Sequence, residues 1–219
     1  KYVFHGILVN DDPVSQGNAS ATYSDEDTGD WTAFLWYNLD LYSEFEQAGD
    51  FTEVDYAFCW SKSYENLTLG AGYYYYDFPM YDTDTSTREI YVSIAGHTFL
   101  NPNVIVYYDL GTANGFYATF GLSEEVALPF WDSSVSLSAV VGYTGKNYVR
   151  AYYSAGEVHS PENRGSMTDA TGTITWTVPV TESVSFNAGV SYASLLDTVR
   201  NNGLQNDNFT MFTTISISF

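Results

Sequence analysis

Basic residues are scarce. Seven Lys and Arg stand against 27 Asp and Glu, a formal net charge of −20 over 219 residues. A surface of that sign repels the phosphate backbone, which excludes nucleic acid as a partner. Cysteine occurs once, at Cys59, so neither an intrachain disulfide nor a Cys-based metal site can form. Its place within an alternating segment marks it as a small buried side chain. No apolar run approaches the roughly 18 residues that identify a membrane-crossing helix, and mean hydropathy is only −0.17. The first residue is Lys1 and no apolar leader follows it, as expected of a chain whose signal peptide has been removed.

Aromatic residues, by contrast, are abundant: 18% of the chain, with 20 Tyr, 14 Phe and 5 Trp. Their arrangement is clearest in the last eleven residues, where Phe209, Met211, Thr213, Ile215, Ile217 and Phe219 alternate with Thr210, Phe212, Thr214, Ser216 and Ser218. Period-two alternation is the mark of a β-strand. The polar partners here are hydroxyl residues, whereas a soluble sheet turns Lys and Glu to water. An uncharged apolar face backed by small polar groups is the pattern of a strand with lipid outside and a wet lumen inside. A closed β-barrel is the one way other than a helix to cross a bilayer, because its ladder satisfies every backbone group. A final strand ending on Phe219 also resembles the C-terminal assembly signal of bacterial outer-membrane proteins.

About twelve such segments can be marked, at 2–9, 18–24, 31–42, 51–61, 67–78, 87–97, 103–109, 115–126, 134–145, 169–179, 184–195 and 208–219. The fold expected is all-β, one transmembrane antiparallel β-barrel domain of about 12 strands spanning 1–219 as an up-and-down meander. With the first strand running outward, the links 10–17, 43–49, 79–86, 146–168 and 196–207 are external. The turns 64–66, 98–102 and 181–183 are short and periplasmic, the asymmetry of such barrels. The external link 111–114 is short against the trend. Residues 148–153 either extend the ninth strand or form a strand of their own. Faces separate strand by strand. Trp31, Ala33, Leu35, Tyr37, Leu39 and Leu41 share one side, and Thr32, Phe34, Trp36, Asn38, Asp40 and Tyr42 the other. Val54, Tyr56, Phe58 and Trp60 oppose Glu53, Asp55, Ala57, Cys59 and Ser61. A soluble sandwich or lipocalin-like barrel would show the reverse, a greasy inside and a charged outside.

Several segments carry a resemblance. Gly6-Ile-Leu-Val-Asn-Asp-Asp-Pro-Val14, Tyr37-Asn-Leu-Asp-Leu41, Gly49-Asp-Phe-Thr-Glu-Val-Asp-Tyr56 and Tyr74-Tyr-Tyr-Asp-Phe-Pro79 resemble the TorF-type porin family of bacterial outer-membrane β-barrels. The likeness continues through Asn103-Val-Ile-Val-Tyr-Tyr-Asp109, Gly115-Phe-Tyr-Ala-Thr-Phe-Gly121 and Ser194-Leu-Leu-Asp197 and so covers most of the chain. It implies about twelve strands and an outer-membrane location. Asn38, Asp40, Glu53 and Asp55 are its recurring polar positions, and it implies no catalytic motif.

Those four residues also form the sharpest cluster from the facing pattern alone. Consecutive strands are neighbours, so their side chains meet across the pair. Inward acids favour cations, which makes this a cation-preferring patch near the external end. Alternatively, they form a hydrogen-bonded plug that pins the wall and pairs with Arg88 or another inward base. Trp36, Tyr74, Tyr76, Glu89 and Tyr91 complete the expected pore lining. The inward aromatics, with Phe34, Tyr107, Tyr117 and Phe212, either fill the lumen or form a slide for a flat solute.

Of the three histidines, His5, His97 and His159, none lies in a catalytic pattern, so no enzyme activity is expected. The acidic run Asp25-Glu-Asp-Thr-Gly-Asp30 has the look of a calcium loop but lacks its bidentate Glu. It reads better as a solvated turn, and Asp82 and Asp84 are taken in the same way. No metal site and no cofactor is expected. The function expected is passive diffusion of small hydrophilic solutes, cations preferred, through a porin-like channel. The alternative is a closed structural barrel that anchors a surface partner through its external loops. The partners expected are the bilayer, lipopolysaccharide and the solutes, with a homo-oligomer also open.

Overall fold

The computed structural model describes residues 1–42, 48–80, 86–153, 165–196, 199–200 and 204–219. Two short strands open the chain, β1 (Tyr2–Phe4) and β2 (Ile7–Asn10). Longer ones follow: β3 (Val14–Asp25), β4 (Gly29–Asp40), β5 (Phe51–Ser63), β6 (Leu67–Asp77), β7 (Thr87–Gly96), β8 (Asn103–Asp109), β9 (Gly115–Ala127), β10 (Ser134–Thr144), β11 (Ser166–Thr181), β12 (Val184–Leu195) and β13 (Asp207–Ile217). A short helix, α1 (Lys146–Tyr152), lies between β10 and β11.

Strands β3 to β13 make one eleven-stranded antiparallel sheet in which each pairs with the next in sequence. The meander expected from the sequence is therefore present, but its strand count is not twelve. The segment 2–9 does not enter the sheet. Phe4 pairs with Ile7, leaving His5 and Gly6 as a two-residue turn, both with positive φ (48° and 78°). That geometry is the one that reverses a tight hairpin, so the chain doubles back where a spanning strand was predicted. The third strand also starts earlier than expected, at Val14. Residues 148–153, expected to be strand, are mostly helical.

With eleven strands, the edges β3 and β13 run in the same direction, and the ladder does not join them. The sheet is nevertheless rolled. Tyr2 packs against Trp36 on β4, ring centroids 5.6 Å apart. Phe4 lies against Tyr76 on β6, and His5 stacks on Tyr117 of β9 at 3.8 Å. Asn208 on β13 donates to the Gly6 carbonyl oxygen at 3.3 Å. Five residues of chain thus touch strands from β4 to β13. Nine inter-strand steps in a flat sheet would span about 43 Å, whereas four extended residues reach only about 14 Å. The sheet curls around the hairpin.

The two ends of the roll differ. At one, β3 and β4, β5 and β6, and β11 and β12 are joined by two or three residues. The other carries the longer links, the N-terminal hairpin and α1. Burial is inverted relative to a soluble sheet. Outward side chains such as Phe58 (55%), Val92 (60%) and Met211 (74%) are exposed. The buried apolar cluster, with Tyr117, Tyr148, Val149, Tyr153 and Leu195, sits inside the roll at the loop end. There α1 turns its buried pair Tyr148 and Val149, with Tyr153 just beyond it, into the interior. No helix among the described residues is long and apolar enough to cross a membrane.

Candidate functional site

The inner face at the loop end carries six buried carboxyl groups: Asp40, Glu53, Asp55, Glu89, Asp109 and Asp169. Among the described residues no Lys or Arg is buried with them. Arg88, expected to face inward as their partner, is exposed. It precedes Glu89 in an alternating strand and so takes the opposite face. Tyr42, grouped with the inward residues, lies past the end of β4 and is exposed too.

Asn38, Asp40, Glu53 and Asp55 come together as the pattern predicts, with Asn38 opposite Glu53 and Trp36 opposite Asp55. Asn38 Nδ2 donates to Asp40 Oδ1 at 3.0 Å and to Thr52 Oγ1 at 2.7 Å. Gln16 donates to Asn38 Oδ1. The Tyr2 hydroxyl donates to Glu53. Burial, reinforced by the neighbouring Glu53 carboxylate, holds the Tyr2 phenol well above its ordinary pKa. Asp55 is different: its Oδ1 is buried and has no hydrogen-bond partner among the described residues.

The remaining acids are held by tyrosines. Glu89 accepts from Tyr76 at 2.9 Å and from Tyr148 at 3.2 Å. Asp109 accepts from Thr87, from Tyr152 and from the amides of Gly111 and Ala113. Asp169 accepts from Tyr117 and Thr168. These are neutral donors, so the hydroxyls satisfy the oxygens without cancelling the charge. Of the expected pore residues, Trp36, Tyr74, Tyr76, Glu89 and Tyr91 all take the inner face. Tyr91, Tyr107 and Tyr117 stand in one cross-strand row, with centroids 5.7 Å and 6.2 Å apart. Gly142 makes room for the row, since a Cβ there would lie 2.7 Å from the Tyr117 hydroxyl.

The sequence reasoning missed Tyr2, His5, Asp109, Asp169, Tyr148, Tyr152 and Tyr153. Asp109 and Asp169 lie on inward positions, so their alternation could have found them. The others belong to the hairpin and α1, whose burial depends on long-range contacts. His5 Nδ1 lies 3.1 Å from the Tyr148 hydroxyl, with the ring between Phe4 and Tyr117. Enclosure there pushes the imidazole down to about 3. Burial and then Glu89 raise the Tyr148 phenol well above its usual range.

Toward the tight-turn end the inner face changes to small residues. Two spaces, about 600 Å³ and 350 Å³, share the lining residues Val3, Ser191 and Thr210. The first lies between the two sheet edges, lined by Val14 and Gln16 of β3 and by Met211 and Thr214 of β13, and the second lies along Thr119 and Thr171 on the inner face. In the run 25–30, Asp25 Oδ1 accepts from the amides of Asp27 and Thr28 and from the Thr28 hydroxyl. Its oxygen therefore caps a turn, in agreement with the solvated reading. His97 bonds Thr68. His159, Ser160, Asp82 and Asp84 lie outside the described residues, as do residues 154–164 of the link 146–168. No group of three or more His, Cys, Asp or Glu able to hold a metal occurs among the described residues. No family model matches the chain, and no curated protein matches it.

Proposed function

We propose that the rolled sheet is a closed, membrane-spanning β-barrel of the bacterial outer membrane that passes small hydrophilic solutes, cations preferred, along its lumen. The observation that carries this is the division of the two faces. Outward positions from β4 to β13 are uncharged, and nearly all apolar, through the middle of every strand. The charged ones, Lys62, Asp77, Arg88, Glu124 and Asp207, fall near strand ends. Inward positions are hydroxyl, glycine, tyrosine and carboxylate. That is the reverse of a soluble sheet and the arrangement of a bilayer-spanning one. Strands of 7 to 16 residues bracket the 9–11 residues or so that a tilted strand needs. An unpaired strand edge is untenable in hydrocarbon, so closure is expected in a membrane, with β3 and β13 meeting in parallel or through a further strand.

The acids at the loop end supply the cation preference, because their charge is not cancelled by buried bases. A specific observation also favours the second reading, a closed barrel that anchors a surface partner: the hairpin and α1 occupy the interior at the loop end. Single-channel conductance of the folded protein in a planar bilayer under a salt gradient separates the two. The channel reading expects steady conductance with a cation-biased reversal potential, and the bias falls when Asp40, Glu53 and Asp55 are neutralised together. Silence from folded protein at every voltage would leave the anchoring barrel.

A further inference from the structure

Between the hairpin, the inner face of β5 to β7 and α1 lies a cavity of about 210 Å³. Its walls include six aromatic rings, Tyr2, Phe4, Tyr76, Phe78, Tyr148 and Tyr152. Two carboxylates enter it, Glu53 from β5 and Glu89 from β7. They are 6% and 2% exposed. Asp55, two residues along the same face from Glu53 and opposite Tyr76 in the register, is nine-tenths buried. It keeps the oxygen that has no partner among the described residues.

Three buried acids with no buried base beside them lack a counter-charge, and an uncompensated buried charge is costly. The walls say what kind of cation would supply it. A hard metal ion takes six or more oxygens in a closed shell, and the acids here do not converge in that way. Aromatic rings set edge-on and tilted to one another, as Phe4 to Tyr76 and Tyr148 to Tyr152, and backed by carboxylates instead suit a weakly hydrated organic cation, which ring faces attract. At about 30 Å³ per water, the cavity holds roughly seven waters, room for one small alkylated ammonium ion.

We propose that this cavity is a binding site for a small alkylammonium ion, lined by the six rings and balanced by the two carboxylates that enter it, Glu53 and Glu89, with Asp55 adding charge from beside Glu53. The site does not need the lumen to conduct, so it stands or falls separately from the channel reading.

The test is calorimetric titration of the folded protein, in detergent at fixed pH and salt, with choline and with its neutral carbon analogue 3,3-dimethylbutan-1-ol. Saturable choline binding is expected, at least tenfold tighter than that of the analogue. It should weaken about tenfold or more in Glu53→Gln and in Glu89→Gln, and be unchanged in Asp27→Asn at the opposite end. No choline binding, or equal binding of the neutral analogue, overturns the proposal without reference to any variant. Binding that is charge-dependent but indifferent to Glu53→Gln and Glu89→Gln also overturns it, by moving the choline to acidic loops.

Discussion

His5 shows how one residue reports on the packing around it. Its ring lies between Phe4 and Tyr117 and bonds Tyr148, whose hydroxyl goes on to Glu89. The imidazole titrates near 6.5 when free and at about 3 in this setting. Between those values the unfolded chain binds more protons than the folded one, so stability falls as pH drops from about 6.5 toward 3. Denaturant midpoints across that range should therefore fall more steeply for the wild type than for His5→Gln, which has nothing to protonate. Parallel curves would mean that the imidazole protonates freely in the folded protein.

At the scale of elements, the hairpin and α1 form a unit apart from the sheet. The eleven-strand ladder contains no residue of β1 or β2, yet the hairpin crosses the interior and shares tyrosine contacts with α1. Tyr153 Oη lies 2.8 Å from the His5 carbonyl oxygen. Wall and filling are thus separable. On the channel reading, deleting residues 1–12 should leave a β-rich protein whose folded form still migrates apart from the heat-denatured one. Its conductance should exceed that of the full chain several-fold. Equal conductance would place the constriction in the tyrosine row or in α1. Loss of the folded form would make the hairpin part of the wall's own stability.

For the whole molecule, the decisive property is which side of the sheet meets an apolar solvent. Val92 and Ser93 are adjacent on β7 and face opposite ways. Spin labels at Val92→Cys and Ser93→Cys, in a Cys59→Ser background and in lipid, should give contrasting accessibilities. The first should collide with oxygen dissolved in the bilayer, the second with a water-soluble nickel reagent. Equal exposure of both labels to the aqueous reagent would remove the membrane reading. A soluble protein would leave Phe58, Val92, Ile94 and Met211 in water as one continuous apolar surface, at a large hydrophobic cost.

Much of this was legible in residue order because side-chain alternation is a local property. The faces of β4, β5 and β12, the meander and the meeting of Asn38, Asp40, Glu53 and Asp55 all follow from period two and adjacency. The first segment and residues 148–153 misled the pattern. Their apolar residues are buried by distant partners, and a two-residue turn or a seven-residue helix has too few positions to show a period. The fate of the acids was legible only in part. Alternation from Glu89 already turns Arg88 outward, but the tyrosines that bond Glu89, Asp109 and Asp169 come from three elements, β6, β9 and α1, and residue order does not show that they meet. The sequence by itself determined a sheet of alternating strands with an apolar outside and a polar, acidic inside. Only the tertiary structure decided that the chain's first residues fill that inside, because contacts between residues over a hundred positions apart leave no trace in local order.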